Sequence, residues 1–175
     1  SRFLVYFANN KEGMQTIAYW MMGSLAGAQW GELAVIAPII MASILFFWTQ
    51  SRVLNLMLLG DESAITMGTD LHAYRQWYLL ISSLIVGFAV YSAGMIGFVG
   101  LIVPHVIRMF TGPDHKRLLP VAALVGAIFL VVADGLCRVI IPHTELPIGI
   151  LISMIGAPSF IYLMIKKTYG FGGSD

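Results

Sequence analysis

The sequence predicts an all-α fold, a polytopic transmembrane helical bundle of about five spans plus a truncated one, with short interfacial and cytoplasmic helices. Of its 175 residues, 58% are hydrophobic and only 11% are charged, and the mean hydropathy is +0.84. Soluble domains carry about 25% charged residues. A chain this apolar is expected to have a bilayer as its solvent. The net charge of +1 argues against a nucleic-acid partner.

The amino-terminal part predicts two elements that do not span a bilayer. Residues 1–8 are apolar and have the character of the last turns of a truncated span. Residues 11–23 are amphipathic and aromatic, which is typical of a short helix at a membrane interface, where Tyr and Trp anchor well. We therefore expect the chain to be part of a longer membrane protein.

Five segments are apolar enough to cross a membrane, for which about 20 mostly apolar residues are needed. The third of them is short and rich in glycine. The five predicted spans are residues 30–48, 77–93, 95–110, 118–141 and 146–165.

The basic residues between the predicted spans indicate an orientation, because cytoplasmic loops are enriched in Lys and Arg. Seven basic residues lie at one set of span ends and three at the other, so the first set and the carboxyl terminus are predicted to be cytoplasmic. The first set is Arg52, Arg75, Arg108, Lys116, Arg117, Lys166 and Lys167, and the second is Arg2, Lys11 and Arg138.

The longest connection, residues 51–76, is too polar to span and is predicted to form two short cytoplasmic helices over about 54–69. Leu56, Met57 and Leu59 precede a glycine. Asp61 is predicted to cap the second helix and Gly68 to end it. Two such helices at a membrane surface would form a rigid docking knob.

The histidines of residues 97–120 raise the possibility of a metal or catalytic site. His105 and His115 are ten residues apart, and neither has a second ligand at helical spacing. Zinc proteases need a set such as H-E-x-x-H, and neither that set nor a P-loop occurs. We instead expect His105 and Arg108 to bond the last carbonyls of a helix, and Asp114 to belong to a turn.

Asp134 and Arg138 lie four residues apart in the fourth predicted span and should share a helix face. Charges inside a membrane segment are costly and face protein or water. Two interpretations stay open. The pair neutralises itself, or Arg138 reaches the outer surface and meets an acidic partner.

Small residues recur at helical spacing and predict close helix contacts. They are either plain packing sites or, in the last span, the lining of a pathway or of a two-fold interface. Pro158 should bend that span, and Pro147 should occupy its first turn. The small residues are Gly94, Gly97 and Gly100, followed by Gly149, Ser153 and Gly156.

Several motifs together resemble the permease subunits of iron-siderophore, haem and cobalamin ABC importers, the FecCD family. "GFVGLIVPHVIRMFTGPDHKRLLP" (97–120) is similar to the family signature, with Lys116 where Arg is usual. Further matches follow along the chain in the family's order. They are Trp20 to Gly23; Leu59, Gly60, Ala64 and Gly68, with Met67 for Leu; Ala133, Asp134 and Arg138; and Glu145, Leu146, Pro147, Gly149, Gly156, Ala157, Pro158 and Phe160.

The resemblance implies that residues 1–175 are the carboxyl-terminal half of a ten-span permease of a bacterial or archaeal cytoplasmic membrane. It implies a homodimer or pseudodimer, two separate ATPase subunits and a substrate-binding protein. The permease itself would be no enzyme and would need no cofactor or metal. The motifs do not discriminate between iron chelates and cobalamin as cargo.

The resemblance also assigns roles to residues. Arg138 would contact the binding protein. The spacing of Gly149, Ser153 and Gly156, and not the resemblance, makes them candidates for lining the pathway or the dimer contact. Structural motif positions would be Pro104, His105, Arg108, Asp114, Asp134, Glu145, Pro147 and Pro158. ATPase coupling would fall to Leu56, Leu59, Gly60, Asp61, Glu62, Ala64, Met67 and Gly68.

Two other classes of protein compete with this interpretation. One is an intramembrane enzyme that uses His105 and Asp114. The other is a secondary transporter or passive channel, which would work without an ATPase.

Overall fold

The computed structural model describes residues 11–140 and 146–169, and this part of the chain is helical with no β-strand. The predicted all-α class is confirmed. The predicted truncated span at 1–8, Arg2 and Glu145 lie outside the described residues. The helices are α1 (Lys11–Met22), α2 (Trp30–Thr49), α3 (Ser51–Leu59), α4 (Asp61–Thr66), α5 (Leu71–Ala93), α6 (Val99–Thr111), α7 (His115–Ile140) and α8 (Ile148–Tyr169).

Four of the described helices, α2, α5, α7 and α8, are long and apolar enough to cross a membrane. Helix α2 consists mainly of apolar side chains, yet none of its residues is buried. In water such a helix would leave a large apolar surface unburied, whereas lipid covers it without penalty.

The third predicted span is wrong in its length. Helix α6 begins at Val99 and has 13 residues, which at 1.5 Å each extend about 20 Å, against a hydrocarbon core of about 30 Å. Residues 95–98 are not helical. Gly94 has a φ of 72° and Phe98 a φ of 64°, and these left-handed conformations interrupt any helix continuing from α5.

The described residues fall into two compact units, and each is described by itself. The first contains residues 11–28, 92–102 and the described part of 130–169. Its backbone segments approach closely at glycines. A Cβ on Gly94 would lie 2.5 Å from the Trp20 carbonyl oxygen, and one on Gly149 would overlap the Met22 carbonyl oxygen. Met95 N–H also donates to the Trp20 carbonyl at 3.1 Å.

The same unit confirms part of the prediction about small residues. Gly156 is buried, and a Cβ there would lie 2.7 Å from the Cβ of Phe98. By contrast, Gly97 and Gly100 face open space, so they do not mark close contacts in the described part of the chain. Cys137 is buried.

The second unit contains residues 29–91 and 103–129. Aromatic rings pack where α2 ends: Phe47 and Tyr78 meet edge to face with centroids 5.6 Å apart. The Tyr78 hydroxyl donates to Gln50 Oε1 at 2.6 Å, and the Trp48 indole N–H donates to the Lys116 carbonyl at 2.9 Å. These contacts fix α5 and the start of α7 against the α2–α3 junction.

Candidate functional site: the α3–α4 surface and the α6–α7 turn

Gly60 sets the angle between the two short helices α3 and α4. Its φ of 91° and ψ of 164° lie in a region that essentially only glycine occupies. A residue with a side chain would be strained in this conformation, so a substitution here would shift the backbone that connects α3 to α4. The prediction of two short helices that meet at this glycine is confirmed.

Gly68 ends α4 as predicted, in a Schellman motif. Its φ is 81°. Its N–H donates to the Ile65 carbonyl at 2.9 Å, and the N–H of Thr69 donates to the Ala64 carbonyl at 2.9 Å. This pair of bonds satisfies carbonyls that a helix end otherwise leaves free.

The predicted capping role of Asp61 is wrong. Gly60 occupies the cap position and makes no side-chain cap hydrogen bond. Asp61 is the first residue of α4, and its Oδ1 accepts from Arg75 Nη2 at 2.8 Å. Both side chains are exposed, so the pair contributes little stability, although it links α4 to α5.

The surface of α3 and α4 is apolar and exposed. The exposed fractions are 58% for Leu59, 66% for Ile65 and 64% for Met67. Ala64 is fully buried, which makes it a packing residue beneath this surface. Leu58 is exposed as well and was not among the predicted coupling residues. Only the packing of α3 reveals which of its successive leucines point outward.

A groove of about 610 Å³ opens beside this surface. Helix α3, Met67 directly after α4 and the α6–α7 turn contribute to it, so the turn and this surface line the same groove. The groove is lined by Arg52, Asn55, Leu56, Leu58, Leu59, Met67, Pro113 and Asp114.

Asn55 joins α3 to the turn with both ends of its amide. Its Nδ2 donates to Asp114 Oδ1 at 2.8 Å, and its Oδ1 accepts from the His115 backbone N–H at 2.9 Å. A ring nitrogen of His115 also lies 2.8 Å from Asn55 Oδ1. We call Asn55, Asp114 and His115 the polar clasp. Asn55 is not among the site residues predicted above, and its one signal in the sequence is an amide within a mostly apolar short helix.

Asp114 caps α7 in addition to its role in the polar clasp. Its Oδ1 accepts from the Lys116 backbone N–H at 3.0 Å. The hydrogen bond from Asn55, followed by that from Lys116, lowers the pKa of the Asp114 carboxyl below its ordinary value. The carboxylate is therefore ionised near neutral pH and acts as an acceptor only.

His105 and Arg108 do not provide the hydrogen bonds found at the end of α6. Gly112 N–H donates to the Arg108 carbonyl at 2.9 Å, and Thr111 Oγ1 donates to the Ile107 carbonyl at 3.1 Å. The predicted capping by the two basic side chains is thus wrong, because the turn satisfies these carbonyls locally.

No catalytic constellation forms around these residues in the described part of the chain. Asp114 is hydrogen-bonded to Asn55 and to backbone, and no hydrogen bond joins it to His105 there. Across residues 11–140 and 146–169, no group of three His, Cys, Asp or Glu side chains could hold a metal ion.

The other unit contains Asp134, Arg138 and the small residues of α8. Arg138 Nε is 2.8 Å from Asp134 Oδ2, so the predicted shared face is confirmed. The side chain of Arg138 is 61% exposed and that of Asp134 23%. Ser153 is exposed on α8, whereas Gly149 is buried.

The two prolines of α8 also have defined positions. Pro147 directly precedes the helix, and its carbonyl accepts from the Ile150 N–H at 3.1 Å. Pro158 lies inside α8, which continues to Tyr169. Pro104 lies inside α6 in the same way.

Residues 1–166 match the FecCD transport family. The chain is 41% identical over 164 residues to the hemin transport system permease protein HmuU of Yersinia pestis, covering 94% of this chain and 49% of that protein. It is 41% identical to the cobalamin import system permease protein BtuC of Halobacterium salinarum, covering 93% and 43%. The corresponding values for the Fe(3+) dicitrate permease FecD of Escherichia coli are 42%, 84% and 46%.

A solved structure has the same fold. A metal-chelate type ABC transporter in an inward-facing conformation superposes with a TM-score of 0.83 at 34% identity, over 90% of this chain and 51% of that one. The chain spans about half the length of the curated relatives it matches. This chain is a membrane protein and belongs to the FecCD transport family.

Proposed function

We propose that the chain forms part of the transmembrane permease of an ATP-driven importer, and that it lines the route of an iron chelate, haem or cobalamin. The observation that carries the proposal is the FecCD match over residues 1–166. Relatives named as hemin, cobalamin and iron permeases support the range of cargo. ATP hydrolysis would occur on a separate subunit.

The exposed surface of α3 and α4 is the proposed contact for that ATPase. A row of exposed apolar side chains between charged ones is typical of a protein interface. Leu58 and Ile65 join the candidates on the basis of their exposure. The set taken from the family is Leu56, Leu59, Gly60, Asp61, Glu62, Ala64, Met67 and Gly68, of which Ala64 would support the surface from below.

The proposed orientation puts α3, α4 and the carboxyl terminus in the cytoplasm. Basic residues supply the argument, since Lys116 and Arg117 lie in the first turn of α7 and Arg138 in its last. With 26 residues, α7 is about 39 Å long, enough to reach both faces. Arg138 would then face outward, where its exposed guanidinium can meet an acidic group of a binding protein.

The role proposed for α8 narrows to fewer residues. Gly149 and Gly156 are occupied by contacts to Met22 and Phe98 within the same unit. Ser153 is the exposed member of the three and is the better candidate for the pathway or for a second permease copy. Two ATPases, a binding protein and that second copy are the proposed partners.

The substitution Gly60→Pro tests the coupling surface. Proline fixes φ near −65°, which is incompatible with the φ of 91° at this position. We expect the full-length permease to fold but to lose co-purification with its ATPase and the stimulation of ATP hydrolysis by substrate-loaded binding protein. Gly87→Ala on α5, where a Cβ meets nothing within 4 Å, is the control.

If co-purification with the ATPase and the stimulation of ATP hydrolysis are unchanged in the Gly60→Pro variant, α3 and α4 are not the coupling surface. The broader proposal has a separate test. If uptake by the full assembly persists when the Walker lysine of the ATPase is replaced, the protein is a secondary transporter or channel instead.

A further inference from the structure

We propose that Asn55 is a positioning residue that makes the α3–α4 surface and the α6–α7 turn move as one body. The proposal rests on the proposed function, because it concerns how movement of an ATPase-bound surface reaches the spanning helices. The partner surface would accordingly extend beyond α3 and α4 to include Pro113 and Asp114 of the turn.

The polar clasp is a long-range connection in a largely apolar region. Asn55 bonds residues 59 and 60 positions away, and it uses its amide N–H and its carbonyl oxygen on adjacent residues of the turn. All three members are at least partly shielded from solvent. A rigid amide held at both ends fixes position and angle, whereas an apolar contact would let α3 slide along the turn.

The clasp also acts directly on a spanning helix. Asp114 caps α7 and His115 is its first residue, so Asn55 holds the point at which α7 begins. The indole of Trp48 holds the same point through the Lys116 carbonyl at 2.9 Å. A displacement of α3 is therefore transmitted to the start of α7 through hydrogen bonds, without a flexible linker between them.

The donor–acceptor pattern allows a swap experiment. Asn55→Asp keeps the acceptor for His115 N–H but puts a second carboxylate against Asp114, which breaks the clasp by repulsion. The double variant Asn55→Asp/Asp114→Asn restores one donor and one acceptor, and an asparagine amide oxygen can still cap α7. Because Asn and Asp have almost the same volume, a defect of Asn55→Asp that the double variant reverses would reflect the hydrogen bonds and not the packing.

The test uses the full-length permease reconstituted with its ATPase and binding protein, with spin labels at Ser63→Cys and Arg117→Cys. Both positions are exposed, one on α4 and one beyond the turn. We expect a narrow distance distribution that is the same with and without nucleotide in the wild-type background. Asn55→Asp should broaden it or make it nucleotide-dependent, and the double variant should restore it.

Transport provides the second readout, with haemin, ferrichrome and cyanocobalamin as probes. For the probe that the wild-type assembly imports, we expect Asn55→Asp to lower the amount imported per ATP hydrolysed by about fivefold or more. The ATPase should still co-purify. Tyr78→Phe is the matched control, because it removes the long-range bond to Gln50 without touching the turn.

Different failures have different meanings. A distance distribution and import ratio that are unchanged in Asn55→Asp, or changed but not rescued by the double variant, would overturn the role of Asn55. A wild-type assembly that imports none of the probes with ATP would count against the proposed function, while the distance measurement would still decide whether the clasp holds.

Discussion

Single polar residues and glycines determine much of the local structure of this apolar chain. An asparagine is unfavourable in a helix interior because its amide competes for backbone partners. Asn55 nevertheless sits inside α3, and its amide bonds Asp114 and His115 instead. At the residue scale, a locally disfavoured side chain is explained by a partner far away in sequence.

Gly149 gives a prediction at the same scale. A Cβ there would overlap the Met22 carbonyl oxygen, which is backbone and cannot rotate away. Gly149→Ala should therefore destabilise the protein by about 1–3 kcal/mol, as overpacking does. Thermal unfolding in detergent micelles measures the loss.

The control for that measurement is Gly135→Ala, since a Cβ at Gly135 meets nothing within 4 Å. It should unfold at the wild-type temperature or slightly above, because alanine favours a helix. Equal melting temperatures for the two variants would mean that α1 and α8 do not approach as closely as described.

At the scale of the element, the stability of a short helix depends on the contacts at its ends more than on its length. Helix α4 has six residues, too few to be stable by itself in water. Its Schellman motif at Gly68 and the burial of Ala64 hold it in place.

The element-scale prediction is that Gly68→Ala loosens α4. A left-handed alanine costs roughly 1 kcal/mol, so α4 should open more often. Hydrogen exchange should show about fivefold faster exchange at the Gly68 and Thr69 amides. Gly27→Ala, at a glycine with open space and no left-handed φ, should leave these amides unchanged. Equal protection in both variants would contradict the role of the motif.

Helix α6 is shorter than the apolar pattern of its sequence predicts. Residues 95–98 are apolar enough to extend a membrane span. However, the Met95 N–H donates to the Trp20 carbonyl, and Phe98 has a φ of 64°. The phenylalanine ring side chain packs against Gly156. Packing of this connection thus overrides a continuous hydrophobic run.

At the scale of the whole molecule, the exposed apolar helices need lipid on their surface, and the distribution of basic residues is the basis of the proposed orientation. We predict that Ser63→Cys faces the cytoplasm and Val139→Cys the outside, both in a Cys137→Ala background. Both native side chains are exposed, Val139 at 78%.

The side of the membrane that each cysteine faces is measured with an impermeant maleimide applied to right-side-out vesicles. Val139→Cys should react in intact vesicles, and Ser63→Cys only after permeabilisation. Reaction of Ser63→Cys in intact vesicles would contradict the proposed orientation, and with it the side on which the proposed ATPase would bind.

The sequence by itself determined the class of fold, because the length and position of apolar segments follow directly from composition. It predicted the spans that became α2, α5, α7 and α8, the two short helices at Gly60, and the helix stop at Gly68. The same motifs identified the FecCD resemblance, which the family match confirms. These features depend on local physics: hydrophobicity, helix periodicity and the backbone freedom of glycine.

Only the tertiary structure decided which residues meet. It replaced the capping role of Asp61 with a contact to Arg75, shortened α6, and placed Gly149 and Gly156 in packing contacts while leaving Ser153 exposed. It also brought Asn55 to Asp114 across 59 residues. Such contacts depend on how separate helices pack, and neighbouring residues in a sequence hold no information about a partner that is distant along the chain.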